Sequence, residues 1–160
     1  LNPGKENMDM LCDAADGKGK LILIVDDDKM ILDMVSEALH IFGYNVIEAE
    51  NGFSAIDILR KVCDRNPEES DPDVVNFRAK SPWSMPDLVV LDVNMPDMRG
   101  GELLEKMKEI EPGLKVLLST GLSINGEVMD IMKRGCSGFI QKPFTITELN
   151  EKIKLILRRP

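Results

Sequence analysis

Aromatic residues are scarce in this chain of 160 residues, with one Trp, one Tyr and five Phe. Aliphatic and Met side chains must therefore build its interior. The three cysteines, Cys12, Cys63 and Cys136, are an odd number without C-x-x-C spacing. They exclude a disulfide framework and a thiolate zinc site, and they suit reduced thiols in the cytoplasm. Histidine occurs once, as His40, and reads as a surface residue on a helix. No apolar run approaches the roughly 18 residues that cross a bilayer, so no membrane contact is expected of this segment. Basic charge is also short: 20 Lys and Arg against 28 Asp and Glu leave a net charge of −8. Such a field repels phosphate backbones and argues against direct nucleic-acid binding. The closing Arg158-Arg159 pair is too small a patch to reverse that.

What is present points to one domain. The apolar fraction of 43% is ordinary, and the length suffices for a single substantial core. Residues 1–19 are polar, lack apolar periodicity and read as a linker or tail. With Leu1 in place of Met, they point to a fragment of a longer protein. The folded domain is expected over residues 20–158. LILIV (21–25) is a continuous apolar run that meets Asp26-Asp27-Asp28, the pattern of a parallel strand buried on both faces. Ile31, Met34, Val35, Ala38, Leu39 and Phe42 recur at helical spacing, and Gly43 supplies a stop. A strand over 44–49 precedes the turn signal Asn51-Gly52, and Ala55, Ile56, Leu59 and Val62 mark a second helix.

Four prolines among many charges then predict an extended loop at about 61–86. The alternation resumes with LVVLD (88–92), a helix at 101–110, VLLST (116–120), a helix near 127–134, GFIQ (138–141) and a helix at 146–157. Five strands alternating with five helices predict an α/β fold, a doubly wound parallel sheet with helices on both faces. In that architecture ligands bind outside the carboxyl ends of the strands.

Those ends carry Asp26 and Asp27, Asp92, Ser119 and Thr120, and Lys142-Pro143. Brought together, they would place three carboxylates, a hydroxyl and one ammonium in a crevice. Crowded carboxylates repel unless a cation joins them. Mg²⁺ fits, because it takes hard oxygen ligands, needs few carboxylates and keeps several waters; without thiolates or a His cluster, zinc does not. Asp27, Asp92 and the carbonyl of Asn94 would hold the ion, with Asp26 acting through water. Asp92 could then attack phosphorus as a carboxylate nucleophile, with the metal and Lys142 neutralising charge on the transferring group. Thr120 could donate a hydrogen bond to the attached phosphoryl group. Ser119 is the other hydroxyl at this strand end; strand alternation and Gly121 favour Thr120. Asp28 reads as a helix N-cap or first-turn acid.

LILIVDDD, LVVLDVNMPDMRG, VLLSTG and GFIQKPF, in that order, resemble the receiver domains of bacterial two-component response regulators. The resemblance covers about residues 20 to 158. It implies a flavodoxin-like strand order 2-1-3-4-5, phosphoacceptance at Asp92, Mg²⁺ as cofactor, Thr120 and Phe139 as switch residues, and a cis peptide before Pro143. Phe139 has no hydroxyl, so switching there would rest on packing alone. The resemblance further implies a phosphoryl donor that is a sensor histidine kinase or a histidine phosphotransfer protein. It implies a readout face over roughly residues 127–157, and a signalling domain rather than an enzyme, with at most Mg²⁺-dependent self-phosphorylation and self-dephosphorylation. The downstream effector stays open. In the family, Asn94 and Leu122 would occupy positions that tune phosphoryl lifetime.

The loop at 61–86 departs from the family pattern by its length. With Phe77 and Trp83 it reads as a partner contact or as a solvated insertion. Met30 and Leu32 read as core edge or as a docking patch for a histidine-bearing donor, and Cys136 as a small buried residue. A haloacid-dehalogenase-type phosphatase would need an acid where Asn94 stands. A flavin module would need a Ser/Thr/Gly-rich loop where the three aspartates stand. A phosphorylation-independent, receiver-like interaction module is the remaining alternative.

Overall fold

The first strand, β1 (Leu21–Val25), is buried along its whole length, as are β3 (Leu88–Asp92) and β4 (Val116–Thr120). Continuous apolar runs are what such strands require, because helices cover both of their faces. β2 (Asn45–Ala49) and β5 (Gly138–Gln141) are the edges and are only partly buried. All neighbours pair in parallel, in the order β2-β1-β3-β4-β5. The fold is thus the doubly wound α/β sheet that the alternation predicts. The computed structural model describes residues 17–64, 84–121 and 126–160. Most of the predicted tail and of the extended loop, together with Phe77, Trp83 and Leu122, lies outside them.

Five helices separate the strands: α1 (Lys29–Ile41), α2 (Gly52–Cys63), α3 (Gly100–Ile110), α4 (Gly126–Lys133) and α5 (Ile146–Leu157). α2 takes in residues 61–63, where the sequence predicts the start of the loop. Two core layers flank the sheet. Leu23, Val25, Val89, Leu91, Val116 and Leu118 pack with α2, α3 and α4. Ile22, Ile24, Leu88, Val90, Leu117 and Ile140 pack with α1 and α5. Alternate residues of each strand thus serve opposite layers.

The phase of α1 differs from the predicted stripe. Leu32, Val35, Ser36 and Leu39 are its buried residues, whereas Met34 is 53% exposed. Ser36 is tolerated inside because its side chain hydrogen-bonds Glu48 on β2. Leu32 is core and cannot take part in docking; Met30, 81% exposed, stands outside.

Caps define the helix starts. Asp28 accepts from Met30 N and Asn51 from Ser54 N, and Thr145 with Glu148 forms a capping box that opens α5. Across the α1/α5 layer, Tyr44 Oη donates to Asn150 Oδ1 at 3.0 Å, with both residues buried. Tyr44→Phe removes that donor from a buried amide. It is expected to lower unfolding stability by about 1–2 kcal/mol in urea titration. An unchanged midpoint would mean that the bond contributes nothing.

Candidate functional site

The carboxyl ends of β1 and β3 are neighbours in the sheet, and each exits into an aspartate. Asp26 turns inward and is 4% exposed, Asp27 is exposed, and Asp28 caps α1. Asp26 Oδ1 accepts from Asp28 N at 2.9 Å, which fixes the turn between strand and helix. Asp92, also 4% exposed, accepts from Asn94 N at 3.2 Å. One carboxylate oxygen from each of Asp26, Asp27 and Asp92 lies within 4.8 Å of the others.

Lys142 enters from the far side. Its backbone N–H donates to Thr120 O at 2.7 Å, extending the β4–β5 ladder by one bond, and the Lys142–Pro143 peptide is cis. Lys142 Nζ donates to Asp26 Oδ2 at 2.8 Å and stands 3.6 Å from Asp92 Oδ1. Burial pushes the Asp92 carboxyl above the usual carboxylate range. The charges of Asp26 and Asp27 push the same way, while Lys142 and the Asn94 N–H oppose. For Lys142, burial alone would lower the pKa. The hydrogen bond to Asp26 and the charge of Asp92 outweigh it, and the ammonium is held above the ordinary lysine value.

Three carboxylates thus face one ammonium, leaving an excess of negative charge in a half-dry crevice. All the donors are hard oxygens, and neither thiolate nor imidazole is among them. This set suits a small divalent cation such as Mg²⁺.

The two hydroxyls at the end of β4 part company. Thr120 follows Leu118 toward the α2/α3/α4 layer, as does Phe139, the register partner of Leu118. Thr120 is fully buried, and Phe139 is half-buried with Lys152 Nζ 5.7 Å from its ring centroid. Ser119 follows Leu117 to the opposite face. Asn94 is exposed, at the start of the loop after β3. His40 is exposed, with Nδ1 3.1 Å from Tyr44 O. Cys136 is half-buried rather than fully enclosed, and burial pushes its thiol up.

Reading the sequence misses Asp97. Its Oδ2 accepts from Gly52 N at 2.8 Å and so ties the loop after β3 to the start of α2. A Cβ on Gly52 would come within 3.2 Å of that oxygen, so the absence of a side chain permits the contact. The two residues are 45 positions apart and no local pattern links them.

Comparison with known proteins converges on one family. The model of the response regulator receiver domain matches residues 22–154. The probable transcriptional regulatory protein TcrX of Mycobacterium tuberculosis is 34% identical over 145 residues, which is 91% of this chain and 53% of TcrX. Sporulation initiation phosphotransferase F of Bacillus subtilis is 30% identical over 136 residues, covering 85% of this chain and 92% of that protein. The chain therefore spans about half the length of the first relative and nearly all of the second. Among solved structures, a CheY-like receiver domain protein from Methanospirillum hungatei JF-1 superposes with a TM-score of 0.68 at 32% identity. That match covers 86% of this chain and 93% of the other.

Proposed function

The chain belongs to the response regulator receiver domain family, and on that premise we propose that it accepts a phosphoryl group on Asp92 and changes conformation to signal. The observation that carries this reading is the cluster of buried Asp26 and Asp92 with exposed Asp27 and partly buried Lys142 at the carboxyl ends of β1, β3 and β5. The proposed donor is a phosphohistidine of a sensor kinase or of a phosphotransfer protein, in the cytoplasm. The recipient of the signal is an effector domain or partner protein.

An oxygen of Asp92 attacks phosphorus as the bond to the donor nitrogen breaks, giving an acyl phosphate. Asp26, Asp27 and Asp92, with the carbonyl of Asn94, would hold Mg²⁺, which when bound supplies positive charge against the phosphoryl oxygens. Lys142 adds a fixed ammonium on the same side. Thr120 is the hydroxyl assigned to the attached group. Its movement would alter the packing of Phe139, with which it shares a sheet face, and so reach α4, β5 and α5.

The test is incubation of the chain with acetyl phosphate, with and without a chelator, followed by intact mass measurement. One phosphoryl group is expected with Mg²⁺ and none with the chelator. No adduct, together with no response to beryllofluoride, would instead support a phosphorylation-independent interaction module.

A further inference from the structure

Among the described residues, one buried side-chain polar atom lacks a hydrogen-bond partner: Oγ of Ser119. An enclosed hydroxyl left unpaired is unfavourable, and an alanine at that place would avoid the cost. Its position is informative. Ser119 is the register partner of Asp92 on one side and of Ile140 on the other. Paired positions of neighbouring strands send their side chains to one face, and the strands are only about 4.8 Å apart. Leu117, two residues earlier, and Ile140 both belong to the α1/α5 layer, so Ser119 points to that face beside Asp92. Moreover, β4 lies between β5, which Lys142 follows, and the strands that end in Asp92 and Asp26. The ammonium therefore reaches its partners across the strand that carries Ser119.

We propose that Ser119 is a positioning residue for Asp92: after rotation about χ1, its hydroxyl donates to a carboxyl oxygen of Asp92 and sets how long a phosphoryl group stays there. This rests on Asp92 being the phosphoacceptor. A serine has three staggered χ1 wells, and its register partner on the parallel neighbouring strand is only about 4.8 Å away. In hydrolysis a water oxygen bonds to phosphorus as the bond from phosphorus to the Asp92 oxygen breaks. The electron pair of that bond returns to Asp92 as carboxylate. The released proton of the water settles on a phosphate oxygen, giving dihydrogen phosphate. Negative charge grows on the carboxyl group along this path. A donor aimed there stabilises the transition state more than the acyl phosphate and shortens its life. Thr120, on the opposite face, serves the phosphoryl side; Ser119 serves the carboxyl side.

To test this, wild type, Ser119→Ala and Ser119→Cys are loaded with acetyl phosphate and Mg²⁺, freed of donor, and followed by intact mass. The half-life in Ser119→Ala is expected to lengthen about five-fold, the value of one ordinary hydrogen bond. Ser119→Cys, similar in size but a weak donor, is expected to follow Ser119→Ala. The urea midpoint of unloaded Ser119→Ala is expected to hold or rise, since an unpaired hydroxyl is removed. Equal half-lives in a labelled wild type and Ser119→Ala would overturn this proposal alone, whether or not the midpoint moved. A wild type that takes no label would overturn it together with the phosphoacceptor reading.

Discussion

Asp92→Asn is expected to abolish phosphoryl uptake and, in the same protein, to stabilise the unloaded fold. The first effect follows from chemistry: a carboxamide has no anionic oxygen to offer phosphorus, so the mass increment seen with acetyl phosphate should vanish. The second follows from the surroundings of Asp92. The carboxyl is almost wholly buried, and burial together with Asp26 and Asp27 raises its pKa in spite of Lys142. For an acid with a raised folded pKa, the folded state holds its proton more tightly than the unfolded chain does. Stability therefore falls as pH rises from the ordinary carboxylate value through the folded one, and the whole cost is present above it. Asparagine nearly preserves the shape and removes the charge.

A gain on the order of 1 kcal/mol, or about 2–4 °C in melting temperature for a domain of this size, is expected without Mg²⁺. Adding Mg²⁺ should reverse the ranking. A ligand at ten times its dissociation constant adds about 1.4 kcal/mol to wild type, and the variant has lost one of three carboxylate donors. Thermal melts of both proteins with and without Mg²⁺ read all of this. A variant that melts below wild type in chelator would show that the Lys142–Asp92 attraction outweighs desolvation. A variant that still gains a phosphoryl group would move the acceptor elsewhere.

Most of the fold is legible because its strands are unusually explicit. β1, β3 and β4 are buried on both faces, so each is a continuous apolar run, and each run ends in a polar residue where the chain leaves the sheet. Parallel pairing puts all those exits on one edge, which is why Asp26, Asp92, Thr120 and Lys142 can be selected without a neighbouring motif. Finer assignments fail for physical reasons. In α1 the sequence favours Met34 over Ser36 as a core residue; Ser36 goes inside because it has a partner in Glu48 on another strand. In the triplet Asp26-Asp27-Asp28 the last is the cap that the sequence predicts, but only the turn between β1 and α1 buries Asp26 and leaves Asp27 exposed. The contact of Asp97 with Gly52 comes from long-range packing and the pairing of Ser119 with Asp92 from strand register, and local spacing shows neither.

Lys142→Met is expected to be the more damaging of the two site substitutions, and the more diagnostic of a cation site. Its Nζ bonds Asp26 Oδ2 at 2.8 Å and lies 3.6 Å from Asp92, both carboxylates having only 5% of their side chains exposed. Methionine keeps much of the stem's volume and removes the charge, so packing loss is a small part of the effect. Removing one partner of a buried pair commonly costs about 3–5 kcal/mol. Here the lysine side chain is 23% exposed and Asp27 opens the crevice to water, so about 2 kcal/mol is the expected loss at neutral pH.

The pH dependence has a definite sign. The folded pKa of Lys142 is raised, so its contribution is complete below the unfolded lysine value and is lost only as pH rises through the folded one. The gap between wild type and variant should therefore be flat around neutrality. It should narrow in acid, where Asp92, whose folded pKa is raised, takes up its proton. Mg²⁺ supplies a competing cation, so it should stabilise Lys142→Met by more than it stabilises wild type. Asp26→Asn should recover part of the loss in the double variant, because the charge stranded by the first change is gone. Urea unfolding of the four proteins, with and without Mg²⁺, completes the cycle. A Lys142→Met protein as stable as wild type, or one that Mg²⁺ helps no more than wild type, would mean that the three carboxylates are relieved by solvent and do not form a cation site.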